Sequence, residues 1–441
     1  MTEGSIVRLL LAFAIPIICG EILQNLYNSF DAIIVGQFVS TEALAAVSAS
    51  ADISQLIVGF FTGLSTGAGV LFARYYGAKE YDKLHQAIHT GILLAVYIGL
   101  IMSIVGVGVT PWLLNLVDCP PDVFADAEAY LRIYLVGVFF TAIYNVGAGV
   151  LRAVGDSKRP LIYLCISSVL NVVLDIFLVT IIPLGVVGVA IATVVAGMVT
   201  FVLLILRMMK TTDVYKLVLK DLKVDKEMAL QVFNLGIPAA IQSCLVSVSN
   251  LFVQRYINSF GSAAMAGVGA AKKLDKFIGL AGMSMGQAIT VFVSQNYGAR
   301  NFKRASSGIH TCIRMNLIYW LVVASAAFIF APQLVSIFTT SPEAIQYGVA
   351  MMRVMLPFYI FQIFNQVYSG TIRGFGRAQV TMVLSLIGMI GMRQLFLYLT
   401  MNYISWDITF VYVGFPLGWF FSALFVMLYY YLIIKKEYHI K

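Results

Sequence analysis

Apolar residues fill the chain in twelve long runs, and the polar positions collect in the short gaps between them. Each run is long enough to cross a hydrocarbon layer that needs about 20 apolar residues in helical form. The pattern predicts spans near 9–36, 44–72, 85–110, 126–150, 160–183, 186–208, 229–259, 263–294, 305–330, 345–371, 378–401 and 408–433. With no stretch polar enough to build a separate soluble domain, the expected fold is an all-α polytopic membrane protein.

Composition agrees. Of 441 residues, 60% are hydrophobic and only 11% charged, against about 25% charged in an ordinary soluble domain. The net charge of +8 looks at first like a nucleic-acid signal, but the position of the bases gives another reading. Most of the 29 basic residues fall in one set of alternate loops, including Arg74, Lys79, Arg152, Lys158, Arg207, Lys216, Arg300, Lys303, Arg373 and Arg377. Arg8 and the tail residues Lys435 and Lys436 lie on the same side. The other loops hold only acids such as Glu42, Asp122, Glu343 and Asp407. By the positive-inside rule both termini are expected in the cytoplasm. The first apolar run is too long for a signal peptide and lacks a small-residue cleavage site, so it is read as a retained helix.

The two halves repeat at a nearly constant offset of about 221 residues. Arg74-Tyr-Tyr-Gly-Ala-Lys79 overlies Gln295-Asn-Tyr-Gly-Ala-Arg300, and Arg152-Ala-Val-Gly155 overlies Arg373-Gly-Phe-Gly376. Pro16 pairs with Pro238 after a one-residue slip. Six spans per half give the two copies the same orientation, so they form two six-helix bundles related by a pseudo-two-fold axis along the membrane normal. The expected organisation is an N-terminal lobe 1–208, a basic linker 209–228 and a C-terminal lobe 229–441. Such repeats mark secondary transporters.

Charges inside the apolar spans cost at least about 2.5–3.5 kcal/mol each and need a reason. Asp31 lies about 8 Å below the outer end of span 1, and Asp175 and Thr193 each about 12 Å below theirs. Asn171 precedes Asp175 by one turn on the same face. These four residues are therefore expected to converge. Two carboxylates close together in low dielectric take up a proton or a small cation, and the oxygen donors suit a hard ion. The alternative is a structural cluster neutralised by Arg132. A second group, Lys272, Lys273 and Asp275, lies on span 8, where Lys273 takes the repeat position of Asp52; Asp52 is expected to pair with Lys272 or Lys273. His85 and His89 have the i,i+4 spacing of a metal pair, but the repeat does not preserve it and no third ligand is near in sequence, so they read as packing residues. The five cysteines include no C-x-x-C motif and read as apolar fillers. No paired-acid, His-metal or Ser/Lys constellation suggests an enzyme.

Pro16 with Leu26-Tyr-Asn-Ser-Phe-Asp31, Leu151-Arg-Ala-Val-Gly-Asp156, Asn171-Val-Val-Leu-Asp175 and Gly188-Val-Ala-Ile-Ala-Thr193 together resemble the multidrug and toxic compound extrusion (MATE) family. The resemblance spans nearly the whole chain. It implies an antiporter of the bacterial cytoplasmic membrane that exports bulky, mostly cationic aromatic compounds against Na⁺ or H⁺ entry. It places the cation site on Asp31, Asn171, Asp175 and Thr193, and gives Pro16 the role of letting the first helix bend when that site protonates. Some members carry a coupling acid on the seventh span; here that span has none and holds Arg255, so the damage-inducible branch is the nearer likeness. Tyr27, Asn28, Gln55, Asn145, Gln362, Asn365 and Gln366 are candidate cavity residues. A lipid-linked-oligosaccharide flippase of the same superfamily is the alternative, favoured by Lys272, Lys273 and Arg255. The expected partners are small amphipathic cations and the lipid bilayer, with no nucleic acid and no cofactor beyond the coupling ion, and the protein is expected to be a monomer.

Overall fold

The computed structural model describes residues 1–117 and 119–439, apart from the side chains of Asn28, Thr41 and Asp52. Among the described residues there are no strands, and twelve helices are long and apolar enough to cross a membrane. They are α1 (Ile6–Phe38), α2 (Glu42–Ala78), α3 (Tyr81–Leu116), α4 (Phe124–Ala153), α5 (Lys158–Ile181) and α6 (Gly185–Lys210), followed by α7 (Lys226–Asn258), α8 (Ser262–Gly298), α9 (Phe302–Ile329), α10 (Pro342–Gly374), α11 (Ala378–Tyr403) and α12 (Ile408–Glu437). Every predicted span falls on one of them. Most of the observed helices run further than predicted, by up to six residues at one end, because interfacial polar turns continue the backbone hydrogen bonds past the apolar run.

Side chains at the ends account for several boundaries. Ser40 accepts a hydrogen bond from the Ala43 N–H at 3.0 Å and so starts α2, Asp407 receives the Thr409 N–H at 2.8 Å ahead of α12, and Pro342 sits in the first turn of α10 behind a Ser341 cap. These caps occupy donors that a helix start otherwise leaves unpaired. The duplication is written into the turns as well. Lys79 and Arg300 end their helices in the left-handed region, at φ 59° and 55°, and Gly155 and Gly376 do the same at 95° and 84°.

Packing divides the chain into two compact units, Ile15–Ala240 and Met1–Ala14 with Ile241–Lys441. In the first unit α2 approaches the start of α7 so closely that a Cβ on Gly67 would lie 2.3 Å from the Leu235 carbonyl oxygen. This is the small-residue contact that membrane helices use in place of a hydrophobic driving force. Outward faces of α3, α5 and α9 stay exposed with Ile104, Val169 and Ile318 at 66–67%, as suits a surface that lipid covers.

The segment joining α6 to α7 is docked rather than loose. His89 on α3 accepts the Val218 N–H at 3.0 Å, Thr90 accepts the Asp225 N–H at 3.1 Å, and Tyr215 and Leu217 are buried.

Candidate functional site

Three helices of the first unit bring together the residues that depth selected. Asp31 is buried on α1, and Asn171 and Asp175 are wholly buried one turn apart on α5. The Asp31 and Asp175 carboxyl groups are adjacent. Thr193 on α6 completes the group through Tyr27, whose hydroxyl donates to the Thr193 Oγ1 at 3.4 Å and also faces Asp31. Thr193 spends its own proton on the Val189 carbonyl, 3.0 Å away, so its lone pairs remain for a ligand or for Tyr27.

The surroundings are apolar. Ile34, Val35, Val179, Val186, Val189 and Ala190 form a buried cluster with Tyr130, and Tyr134 and Val172 pack against it. Tyr130 and Tyr134 of α4 stack with ring centroids 6.3 Å apart, and Tyr130 approaches both acids. In such a setting every unpaired polar atom costs on the order of 1–3 kcal/mol, more if charged. Yet among the described residues Asp31 Oδ1, both Asp175 oxygens and both amide atoms of Asn171 are buried without a hydrogen-bond partner. Two ionised carboxylates cannot donate to each other. The group is therefore not a finished structural network, and an oxygen set of this kind fits a proton or a small hard cation.

Arg132 does not neutralise the acids. Its guanidinium pairs with Glu128, four residues back on α4, at 2.6 Å, and its side chain is half exposed. That partner was available in the sequence as an i,i+4 pair, which satisfies the base locally and removes it from the site.

The remaining candidates scatter. Pro16 is buried within α1 and interrupts no part of its helical course. Tyr27 belongs to the acid cluster. Gln55 is exposed on α2, and Asn145 returns its amide to the Thr141 carbonyl at 2.9 Å. Gln362 and Gln366 line a narrow cavity of the second unit with Tyr319, Trp320 and Tyr359. Asn365 turns away into the packing of α10 on α12, accepting from Ser369 at 3.2 Å and Ser422 at 2.7 Å. The side chains of Asn28 and Asp52 lie outside the described residues, so the pairing of Asp52 with a lysine does too. Lys272 donates to the Gln254 side-chain Oε1 at 2.7 Å, Lys273 is exposed over the Phe338 ring, and Asp275 receives the Tyr359 hydroxyl.

His85 and His89 do acquire a third neighbour that sequence distance concealed, since Asp221 of the α6–α7 segment lies 3.1 Å from His85. His89, however, uses one ring nitrogen on the His85 carbonyl at 2.7 Å and the other on the Val218 N–H. Neither nitrogen is left for a metal, and the pair holds the segment in place.

A duplicated twelve-span bundle with an oxygen-lined acid pair buried in one repeat is the build of a membrane transporter rather than an enzyme. The MatE family profile matches residues 16–177 and again 238–399, so the chain belongs to the MatE family, and the two matches begin at the repeat-related prolines. Among curated relatives, a probable multidrug resistance protein YoeA of Bacillus subtilis is 28% identical over 443 residues, covering 99% of this chain and 96% of its own. The multidrug export protein MepA of Staphylococcus aureus is 23% identical over 385 residues, covering 87% and 85%. A solved multidrug resistance MATE family transporter of the MOP superfamily, in an outward-facing conformation, has the same fold, with a TM-score of 0.91, 24% identity and coverage of 99% and 97%.

Proposed function

We propose that this transporter is a secondary active multidrug exporter, moving bulky, mostly cationic aromatic compounds out in exchange for H⁺ or Na⁺ by alternating access. The observation that carries this reading is the Asp31–Asp175 pair, buried side by side with three of its four oxygens unpartnered among the described residues. A proton or cation entering the pair removes the repulsion between the two carboxylates. Its departure restores that repulsion, so the two states of the site favour different packings of α1 on α5. Tyr27 links Asp31 to Thr193 and so couples the charge state of α1 to α6. Pro16 lacks the N–H that would hold the preceding turn, which lowers the cost of bending α1 on the N-terminal side of the site.

The relatives named for multidrug resistance and export support the choice of substrate class. The one-sided distribution of Lys and Arg supports cytoplasmic termini in a bacterial cytoplasmic membrane. The absence of an acid from the apolar part of α7 supports a place near the damage-inducible branch.

The test is transport of a fluorescent lipophilic cation in proteoliposomes with pH and sodium gradients imposed separately. Accumulation driven by one of the two gradients is expected. Accumulation indifferent to both would overturn the antiport reading.

A further inference from the structure

The segment joining the two repeats is fastened to the basic end of α3 by a histidine whose protonation state the geometry dictates. His89 is 1% exposed. Its Nε2 lies 3.0 Å from the Val218 backbone nitrogen, and its Nδ1 lies 2.7 Å from the His85 carbonyl oxygen. An N–H can only donate and a carbonyl can only accept, so Nε2 is the bare nitrogen and Nδ1 carries the proton. A second proton on the ring would set Nε2–H against the Val218 N–H, two donors with nothing to accept. The docked segment and a charged His89 therefore exclude each other.

The groups around the ring fix the sign of each perturbation. Of the ionisable groups, His85 faces His89 from its own helix and Asp221 from the segment. The two imidazoles stack with centroids 3.9 Å apart, and His85 Nε2 lies 3.1 Å from the Asp221 carboxylate. His85 can donate to that carboxylate whether neutral or charged, so acid leaves this contact in place. Glu80 and Lys83 in the first turn of α3 pair with each other at 2.8 Å, and Lys223 presents its backbone carbonyl to Thr90 at 3.4 Å. The Asp225 N–H goes to Thr90, and its carboxylate caps α7 by accepting the Met228 N–H at 2.9 Å. Between Val218 and Asp225, then, a proton breaks the His89 fastening and spares those of His85 and Thr90.

We propose that His89 is a proton-operated clasp on the segment between the repeats: neutral, it holds Val218 against α3, and a proton from the adjoining aqueous side releases it. The clasp stands apart from the acid pair and does not depend on the exchange reaction. A free imidazole takes up its second proton near about pH 6.5. Above that pH the docked and freed segments bind equal numbers of protons, and docking is at full strength. Below it the freed form gains a proton that the docked form cannot hold, so docking weakens about tenfold per pH unit. Release gives the segment slack without undoing the cap of α7.

The test is amide hydrogen exchange of the full-length protein in phosphatidylcholine nanodiscs, read by mass spectrometry on overlapping peptides that isolate Val218. After correction for the intrinsic pH dependence of exchange, protection at Val218 should fall roughly tenfold between about pH 7.5 and 5.5 while that at Asp225 holds. His89→Gln puts an amide oxygen where Nε2 accepts and cannot titrate, so it should keep Val218 protected at both pH values. Asp221→Asn removes the negative charge that favours a second proton on His89 and should move the opening to lower pH. His85→Gln removes the positive charge that opposes it and should move the opening to higher pH. If His89→Gln leaves Val218 unprotected even at the higher pH, the two charge variants carry the test, since a merely structural contact would not shift a pH midpoint in opposite directions. Midpoints that stay together, wild-type protection equal at the two pH values, or an equal fall in His89→Gln would overturn the clasp. Loss of protection at Val218 and Asp225 together would mean collapse of the whole segment and would overturn it too.

Discussion

The two repeats share a backbone and differ in what they bury. Lys79 and Arg300 make the same left-handed helix end, and Gly155 and Gly376 the same turn. In the register that pairs Pro16 with Pro238, Asp31 of the first repeat falls on Val253 of the second. Val253 is fully buried in an apolar core that also contains Leu397 of α11. Where α5 carries Asn171 and Asp175, α11 has no acid at all and carries buried Arg393. The duplicated framework thus sets helix lengths and turns, while each copy fills the interior of its bundle with a different charge. Among the described residues the first copy offers unpaired oxygens and the second an unpaired nitrogen, Arg393 Nε. A shared scaffold with divergent interiors teaches that the fold is a property of the repeat and the chemistry is a property of the difference between repeats.

The largest expected effect breaks that difference at its centre. Asp31→Asn and Asp175→Asn keep size and hydrogen-bonding capacity but remove the titrating charge, and each should lower gradient-driven accumulation of a cationic dye more than tenfold while dye binding persists. Equal purification yields would separate this from misfolding. Thr193→Ala, which loses a neutral oxygen, should be milder and shift the apparent ion affinity.

Exchanging the two buried environments sharpens the contrast on stability. Val253→Asp places a carboxylate in an apolar core with no partner and should cost at least about 3 kcal/mol, read as a fall in Tm in detergent. Asp31→Val does the reverse, removing an unsatisfied buried oxygen, and should leave stability between unchanged and roughly 2 kcal/mol higher in a protein that no longer transports. A clear loss of stability in Asp31→Val would make the acid pair structural.

Smaller effects belong to features that position the first unit. Gly67→Ala pushes a methyl group into the Leu235 carbonyl and should destabilise by about 1–3 kcal/mol. Thr90→Val removes the acceptor of the Asp225 N–H and should cost about 1 kcal/mol, loosening the α6–α7 segment enough to speed its cleavage by trypsin at Lys220 or Lys223. Unchanged proteolysis would mean that the His89 and His85 contacts and the buried Tyr215 and Leu217 hold the segment without Thr90.

The helices were legible because hydrocarbon enforces both length and apolar content, so each span declares itself in the sequence. The acid group was legible for a related reason: Asp31, Asn171 and Asp175 stand out against apolar neighbours, and rise per residue places them at compatible depths. Tyr130 was not legible, because an aromatic residue at helical spacing looks the same whether it packs a core or faces a carboxylate. Tyr27 read as a cavity residue for want of any sign that its hydroxyl reaches Thr193, 166 positions away in the chain. The docked α6–α7 segment was hidden by its composition. Alternating Lys and Asp suggest a solvated tether, whereas its attachment runs through backbone N–H groups that no side-chain pattern records.

The central claim is that Asp31 and Asp175 hold the ion whose entry drives export. Its most direct test measures dye accumulation in proteoliposomes under whichever imposed gradient drives the wild type, for Asp31→Asn and Asp175→Asn in parallel. The account predicts that both variants bind the dye yet fail to accumulate it when that gradient is applied. Wild-type, gradient-dependent accumulation by both variants would contradict it.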